Sequence, residues 1–134
     1  MKENSTEPNR RDDDAWEDLI LSVLSVNKWP VQKTYASLDA LRNEGLCEPK
    51  KLARMGPDQV VLRLKRAGYD RGEFMNGLFA QRLSSLAAFA MERGVECCVK
   101  ALHSSERKDL EQFFAVVNGV GPKVIENFCL LRGF

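Results

Sequence analysis

Apolar residues recur along this chain at intervals of three and four, the spacing that gives a helix one buried face. The longest such run covers residues 70–93 and is predicted to form the central helix. The first run consists of Trp16, Leu19, Ile20, Val23 and Leu24. No segment shows the clear alternation of a turn-flanked strand. The pattern predicts an all-α protein, an orthogonal bundle of about six to eight short helices.

Proline and glycine mark the predicted helix boundaries, because proline fits the first turn of a helix and glycine readily takes the left-handed conformation that ends one. The predicted helices start near Asp13, at Pro30, near Glu48, at Pro57, near Asp70, at Ser104 or Ser105, and at Pro122. Gly45, Gly68 and Gly94 end three of them. Residues 94–103 fit either an alternating strand or a helical turn, and the two readings stay open.

The composition is that of one folded domain. The chain has 134 residues, of which 44% are hydrophobic and 29% are charged. A chain of this length and balance can bury a core without metals or disulfides. Residues 1–12 are polar and acidic and are predicted to be a disordered leader, whereas residues 13–134 are predicted to be one helical domain.

Charge is unevenly distributed along the chain. The formal net charge is only +1, so the protein as a whole does not attract polyanions strongly. A basic middle segment contains Lys50, Lys51, Arg54, Arg63, Lys65, Arg66 and Arg71. A polyanion would therefore meet a locally positive surface on a nearly neutral protein.

The cysteines do not indicate a disulfide or metal framework. Cys47, Cys97, Cys98 and Cys129 are scattered and are expected to be reduced. Cys97, Cys98 and His103 lack the paired spacing of zinc ligands. No apolar run is long enough to cross a bilayer, and the N-terminus does not resemble a secretory signal. The expected location is the cytoplasm or nucleoid, or the nucleus in a eukaryotic cell, and the expected state is a monomer.

The segment that joins the last two predicted helices is the clearest candidate for a binding site. Gly119 and Gly121 flank Val120, which can plug the hairpin into the core while the glycines let a partner approach the backbone. Pro122 then starts a helix whose first N–H groups point toward the loop and favour a phosphate. Asn118 and Lys123 complete the predicted DNA-binding set, although a simple tight turn between packed helices remains the alternative.

On these residues, Leu110–Leu131 resembles the helix-hairpin-helix motif of the DNA glycosylase superfamily that includes endonuclease III and the 8-oxoguanine glycosylase/lyases. The motif as a whole falls at residues 107–132. Trp16–Trp29 is similar to the first barrel helix of that family, and Ala67-Gly68-Tyr69 is similar to its turn of glycine and aromatic residue. The resemblance covers roughly residues 14–134 and implies a partner in damaged or abasic duplex DNA.

The resemblance implies base-excision repair, with Lys123 as the catalytic nucleophile of a glycosylase and abasic-site (AP) lyase. An unprotonated amine attacks C1′ of the sugar, and both a helix N-terminus and partial burial disfavour the ammonium form. The alternative is that Lys123 has no catalytic role and is a solvated lysine that pairs with Glu126, three positions on. Asn27, at the end of the first helix, is the candidate for the polar side chain that fills the gap left by a flipped base, with a helix-end cap as the alternative.

The match to that family departs at three points. The family's aspartate, just after the second hairpin helix, would fall beyond Phe134, so the sequence reads either as a truncated core or as a protein that lost half of the active site. Ile125 stands where the family usually has alanine. The four scattered cysteines do not fit an iron-sulfur cluster, and no cofactor is predicted, although a monovalent cation at the hairpin stays open. The alternatives are an inactive DNA-binding or scaffold module and a helical protein-interaction domain.

Overall fold

The computed structural model describes residues 15–26, 29–104 and 106–132, and every regular element in these ranges is an α-helix. The helices of these ranges are α1 (Ala15–Leu24), α2 (Val31–Tyr35), α3 (Leu38–Asn43), α4 (Pro49–Ala53), α5 (Pro57–Arg66), α6 (Glu73–Arg93), α7 (Val95–Ser104), α8 (Arg107–Phe113) and α9 (Pro122–Arg132). The prediction of an all-α protein is confirmed. The predicted leader and Asn27 lie outside the described residues.

Nine helices in the described part of the chain exceed the predicted six to eight. The single helix predicted from Pro30 divides into α2 and α3, because the N–H of Ser37 bonds to the carbonyl of Thr34, three residues back, and tightens the backbone into a turn. Of residues 94–103, for which the sequence allowed either a strand or a helical turn, all except Gly94 lie in α7. The predicted serine cap of α8 is wrong, since Glu106 occupies the N-cap position.

The long helix α6 starts three residues later than predicted. The carboxylate of Asp70 accepts bonds from the Gly72 N–H at 3.1 Å and from the Asn76 side chain at 2.8 Å, which holds residues 70–72 in a turn before the helix. The sequence pattern placed Phe74 on the buried side of α6, but 79% of its surface is exposed. The buried side instead follows Asn76, Phe79, Ala80, Leu83, Leu86, Ala87 and Ala90.

Helix α1 is the most enclosed helix, and α6 is the longest. Helices α4 and α5 pack along α6, α9 packs along α1, and α8 lies against α9. The core residues of all these helices form one hydrophobic cluster. Within the described ranges, no helix combines the length and the hydropathy needed to cross a membrane.

Polar contacts fix α9 against α1 at two places. The guanidinium of Arg132 lies 2.9 Å from a carboxylate oxygen of Asp18, and both side chains are buried. The Asn127 amide donates to the backbone carbonyl of Ser25 at 3.3 Å. Apolar packing alone leaves the rotation of α9 about its axis loosely determined. These polar contacts fix that rotation, because each forms at only one orientation of the helix. The start of α9, and with it the hairpin, is therefore held in one orientation.

Candidate nucleic-acid interface

The segment between α8 and α9 is a pair of consecutive tight turns. The N–H of Val117 bonds to the carbonyl of Phe114 at 3.0 Å, and the N–H of Val120 bonds to the carbonyl of Val117 at 3.2 Å. The Ile125 N–H then bonds to the carbonyl of Gly121 at 3.1 Å, which begins the hydrogen-bond pattern of α9. Pro122 is the first residue of that helix, as predicted.

Val120 anchors the hairpin in the core. Its side chain is buried, together with Val117 on the preceding turn and Val124 on the following helix. Ile125, bulkier than the alanine of the resembled family, is also buried without exposure to solvent. The expected apolar plug between the two helices is present.

The two glycines of the hairpin have different physical roles. Gly119 has a φ of +95°, a conformation that L-residues adopt only with strain. A Cβ at this position would also clash with Cγ of Arg82 and would lie 2.6 Å from its Cδ. Gly121 has no positive φ, and a Cβ there would meet nothing within 4 Å. Gly119 is therefore required by the fold, whereas Gly121 leaves open space beside the backbone.

Lys123 lies in the first turn of α9 and points into solvent. Its side chain is 68% exposed, and its Nζ is 3.6 Å from Oε2 of Glu126. The sequence predicted that the Lys123 amine is partly buried, and this prediction is wrong. Glu126 also lies 3.6 Å from Nη2 of Arg107 on α8. The lysine, the carboxylate and the guanidinium thus form a charged group on the open side of the two helices.

Asn118 is exposed at the other end of the hairpin. It lines a groove of about 920 Å³ between α4, α6 and the hairpin, together with Met55, Ser84, Met91 and Val117. The Ser84 hydroxyl is buried and has no hydrogen-bond partner among the described residues. The groove brings one polar hairpin side chain close to Leu52, Ala53 and Met55, and its only charged lining residue among those described is Glu92.

Arg82, on α6, is a hairpin neighbour that no sequence motif indicated. Its aliphatic stem packs against Gly119, and its guanidinium lies 5.4 Å from the ring centroid of Phe79. Its Nε is buried and has no hydrogen-bond partner within the described part of the chain. Arg82 therefore keeps an unused hydrogen-bond donor next to Gly119 of the hairpin.

An aromatic cluster next to this arginine connects the end of α1 with the start of α6. Trp29, Tyr69 and Phe79 meet in edge-to-face contacts with centroid distances of 5.5 and 6.2 Å. The Tyr69 hydroxyl donates to the carbonyl of Leu24 at 2.6 Å, and burial raises the pKa of this phenol. Arg71 lies 4.8 Å from the Trp29 ring and 5.1 Å from the Phe79 ring. Tyr69, the aromatic residue of the Ala67-Gly68-Tyr69 turn, therefore has a structural role, since it joins the backbone of Leu24 to the rings of Trp29 and Phe79.

All four cysteines are free thiols. Burial, with the neighbouring Cys97, raises the pKa of the Cys98 thiol to about 11, so it stays protonated near neutral pH. Cys97 is exposed, while Cys47 and Cys129 are buried. In the ranges that the structure covers, no group of three or more His, Cys, Asp or Glu side chains is placed to hold a metal ion.

Comparison with protein-family models, with curated proteins and with solved structures gave no match to this chain. The resemblance to the glycosylase motif therefore rests on the residues of the hairpin and on their order along the chain.

Proposed function

We propose that this protein is a base-excision DNA glycosylase with AP lyase activity, or the core of one, that binds duplex DNA through the hairpin. The observation that carries the proposal is the hairpin itself. Val120 is buried, Gly121 stands beside open space, and Lys123 follows on the first turn of α9. This order of plug, open backbone and amine is the arrangement on which the family resemblance depends.

The hairpin supplies the DNA contact by its backbone. The first N–H groups of α9 lack partners within the helix, and the helix dipole places partial positive charge at the same end. A phosphate at this position is bound without regard to sequence, which suits a protein that scans duplex DNA for damage. The buried, unpartnered Nε of Arg82 and the exposed Nζ of Lys123 add cationic donors around the loop.

Lys123 supplies the covalent chemistry in this proposal. Its neutral amine attacks C1′, the bond between C1′ and the base breaks, and the base leaves with the electron pair and a proton. Opening of the sugar ring, with a proton passing to the ring oxygen, gives the protonated Schiff base between Nζ and C1′. Loss of a proton from C2′ then expels the 3′ phosphate and nicks the strand.

Glu126 is the carboxylate that the structure places beside this amine, at 3.6 Å. It is suited to accept the proton that Lys123 must lose before the attack. The same residue is an ion-pair partner whether or not the chemistry occurs, so its role is secondary to that of the lysine.

Borohydride trapping tests the proposed chemistry. Duplex DNA with one abasic site is incubated with the protein and sodium borohydride, which reduces a Schiff base to a stable amine. We expect a covalent adduct with the wild type and with Lys108→Ala, a control that removes an exposed lysine from α8. Lys123→Ala should give no adduct. The absence of an adduct with the wild type, or an adduct that survives Lys123→Ala, contradicts the assignment.

The second candidate function is a catalytically inactive DNA-binding module with the same hairpin. The exposure of Lys123 and its ion pair with Glu126 favour it, since a solvated lysine in such a pair is also a suitable phosphate contact. Binding of intact and abasic duplexes with equal affinity, without any trapped adduct, would identify this function. Gly121→Ala should weaken binding in both cases, because its methyl group enters the open space beside the backbone.

A further inference from the structure

A second cationic feature lies between α4 and α5, away from the hairpin. A pocket of about 300 Å³ is lined by Lys51, Arg54, Met55, Gly56, Gln59 and Arg63. Three of these six residues have a cationic side chain and none has an acidic one. At about 30 Å³ for each water molecule, the pocket holds roughly ten waters, which is ample room for a phosphate group.

The cations of this pocket are only partly neutralised. Lys51 lies 3.0 Å from the Glu48 carboxylate, and Arg63 lies 3.9 Å from the Glu44 carboxylate. Arg54 has no ion-pair partner among the residues that the structure describes. Residues 44–66 contain six lysines and arginines and three carboxylates, so this segment is a positive region of a chain whose net charge is +1.

Two of the pocket residues are held in place by packing and hydrogen bonds. The Arg63 guanidinium donates to the backbone carbonyl of Glu44 at 2.8 Å. The stem of Lys51 packs over Gly45, where a Cβ would lie 3.2 Å from its Cδ. Fixing these long side chains before a ligand arrives lowers the entropy lost on binding. The pocket is thus partly preorganised for an anion.

The pocket and the hairpin lie on opposite sides of one groove. Met55 lines both the pocket and the groove, and Asn118 lines the groove at its hairpin end. The pocket that Lys51 and Arg54 line therefore adjoins the groove, whose own lining within the described ranges contains Glu92 and no lysine or arginine. Two separated phosphate contacts would also orient a duplex on the protein, which one contact does not do.

We propose that the pocket of Lys51, Arg54 and Arg63 binds a phosphate group, and that this group is a backbone phosphate of the DNA held by the hairpin. The affinity for phosphate follows from the pocket alone, whereas the DNA as its source rests on the proposed function. The pocket therefore acts as a second, sequence-independent backbone contact.

The first experiment uses inorganic phosphate as the probe. Resonances of the Gly56 amide and the Arg54 Nε–H are followed by NMR as phosphate replaces chloride at constant ionic strength. Saturable shifts at these groups are expected in the wild type and should be absent at Gly56 in Arg54→Gln. Equal responses to phosphate and chloride in the wild type overturn the phosphate site.

The second experiment measures duplex binding as a function of salt. Removal of one phosphate contact should reduce the slope of log K against log salt concentration by about 0.9. This reduction is expected for Arg54→Gln and not for the control Lys65→Gln, which removes an equal charge from α5 outside the pocket. An unchanged slope in Arg54→Gln, with shifts by free phosphate retained in the wild type, overturns DNA as the source of the phosphate.

The two failures are distinguishable. If the wild type binds no duplex at low salt, the proposed function fails and the phosphate titration alone decides the pocket. If the wild type binds duplex through the hairpin and Arg54→Gln behaves like Lys65→Gln in both experiments, the pocket proposal fails and the proposed function stands. Circular dichroism of both variants checks that each retains its helices.

Discussion

Gly119→Ala is the substitution for which the hairpin geometry predicts a large loss of stability. Gly119 has a φ of +95°, and the added methyl group would lie 2.6 Å from Cδ and 3.0 Å from Cβ of Arg82. Holding an L-residue in such a backbone conformation costs about 1–3 kcal/mol. Displacing the packed stem of Arg82 adds a similar amount, about 1–3 kcal/mol. We therefore expect a loss of unfolding free energy of about 2–6 kcal/mol.

Urea unfolding followed by far-ultraviolet circular dichroism measures this loss. With a denaturant dependence of about 2 kcal/mol per molar urea, the midpoint should fall by about 1–3 M. Gly121→Ala is the matched control in the same hairpin, because its φ is not positive and its methyl group meets no atom within 4 Å. Its unfolding free energy should stay within about 0.5 kcal/mol of the wild type.

A double-mutant cycle separates the two causes. In an Arg82→Ala background the Cγ and Cδ atoms are gone and only the 3.0 Å contact with Cβ remains. Gly119→Ala should then cost mainly the backbone strain, and the two substitutions should couple by about 1 kcal/mol or more. Equal effects of Gly119→Ala and Gly121→Ala in the wild-type background would refute the hairpin geometry. An effect of Gly119→Ala that is identical with and without Arg82 would refute the contact with α6.

Three further substitutions test the packing that positions the hairpin. Tyr69→Phe should lower the unfolding free energy by about 1–3 kcal/mol in urea titrations, since it removes the buried bond to the Leu24 carbonyl. Arg132→Met should cost about 3–5 kcal/mol, because it removes the guanidinium beside the buried carboxylate of Asp18, and a loss below 1 kcal/mol would contradict a buried ion pair. Burial raises the pKa of the Cys98 thiol to about 11 in the folded protein. As the pH increases, the thiol of the unfolded chain therefore loses its proton at a lower pH than the thiol of the folded protein. The unfolding free energy should therefore fall between about pH 9 and 11, with a smaller fall in Cys98→Ala.

Local sequence signals were sufficient for several helix ends. Pro57 and Pro122 start α5 and α9 where they were expected, and Gly68 and Gly94 follow α5 and α6 with positive φ. These signals work because proline and glycine act on the backbone of their own residue and its neighbours. The split between α2 and α3 was missed, since the apolar spacing continues through it and only the hydrogen bond of Ser37 breaks the helix.

The sequence alone also identified the hairpin and the need for glycine in it. It could not show that Gly119 faces Arg82, because the two residues are far apart in the chain and meet only when α6 packs beside the hairpin. It could not show the exposure of Lys123 either. That exposure depends on the rotation of α9, which is set by contacts with α1 such as the pair of Arg132 and Asp18.

The basic pocket also depends on contacts between helices that the sequence does not show. Composition revealed a positive middle segment, but not which of its side chains converge. The packing of α4 and α5 along α6 places Lys51, Arg54 and Arg63 around one cavity, while Lys65 on the same helix lies outside it. The sequence determined the helical elements and the residues able to meet a phosphate, since these follow from local backbone chemistry and side-chain charge. Only the tertiary structure decided which of those residues face a common space, because that depends on contacts between helices distant in the chain.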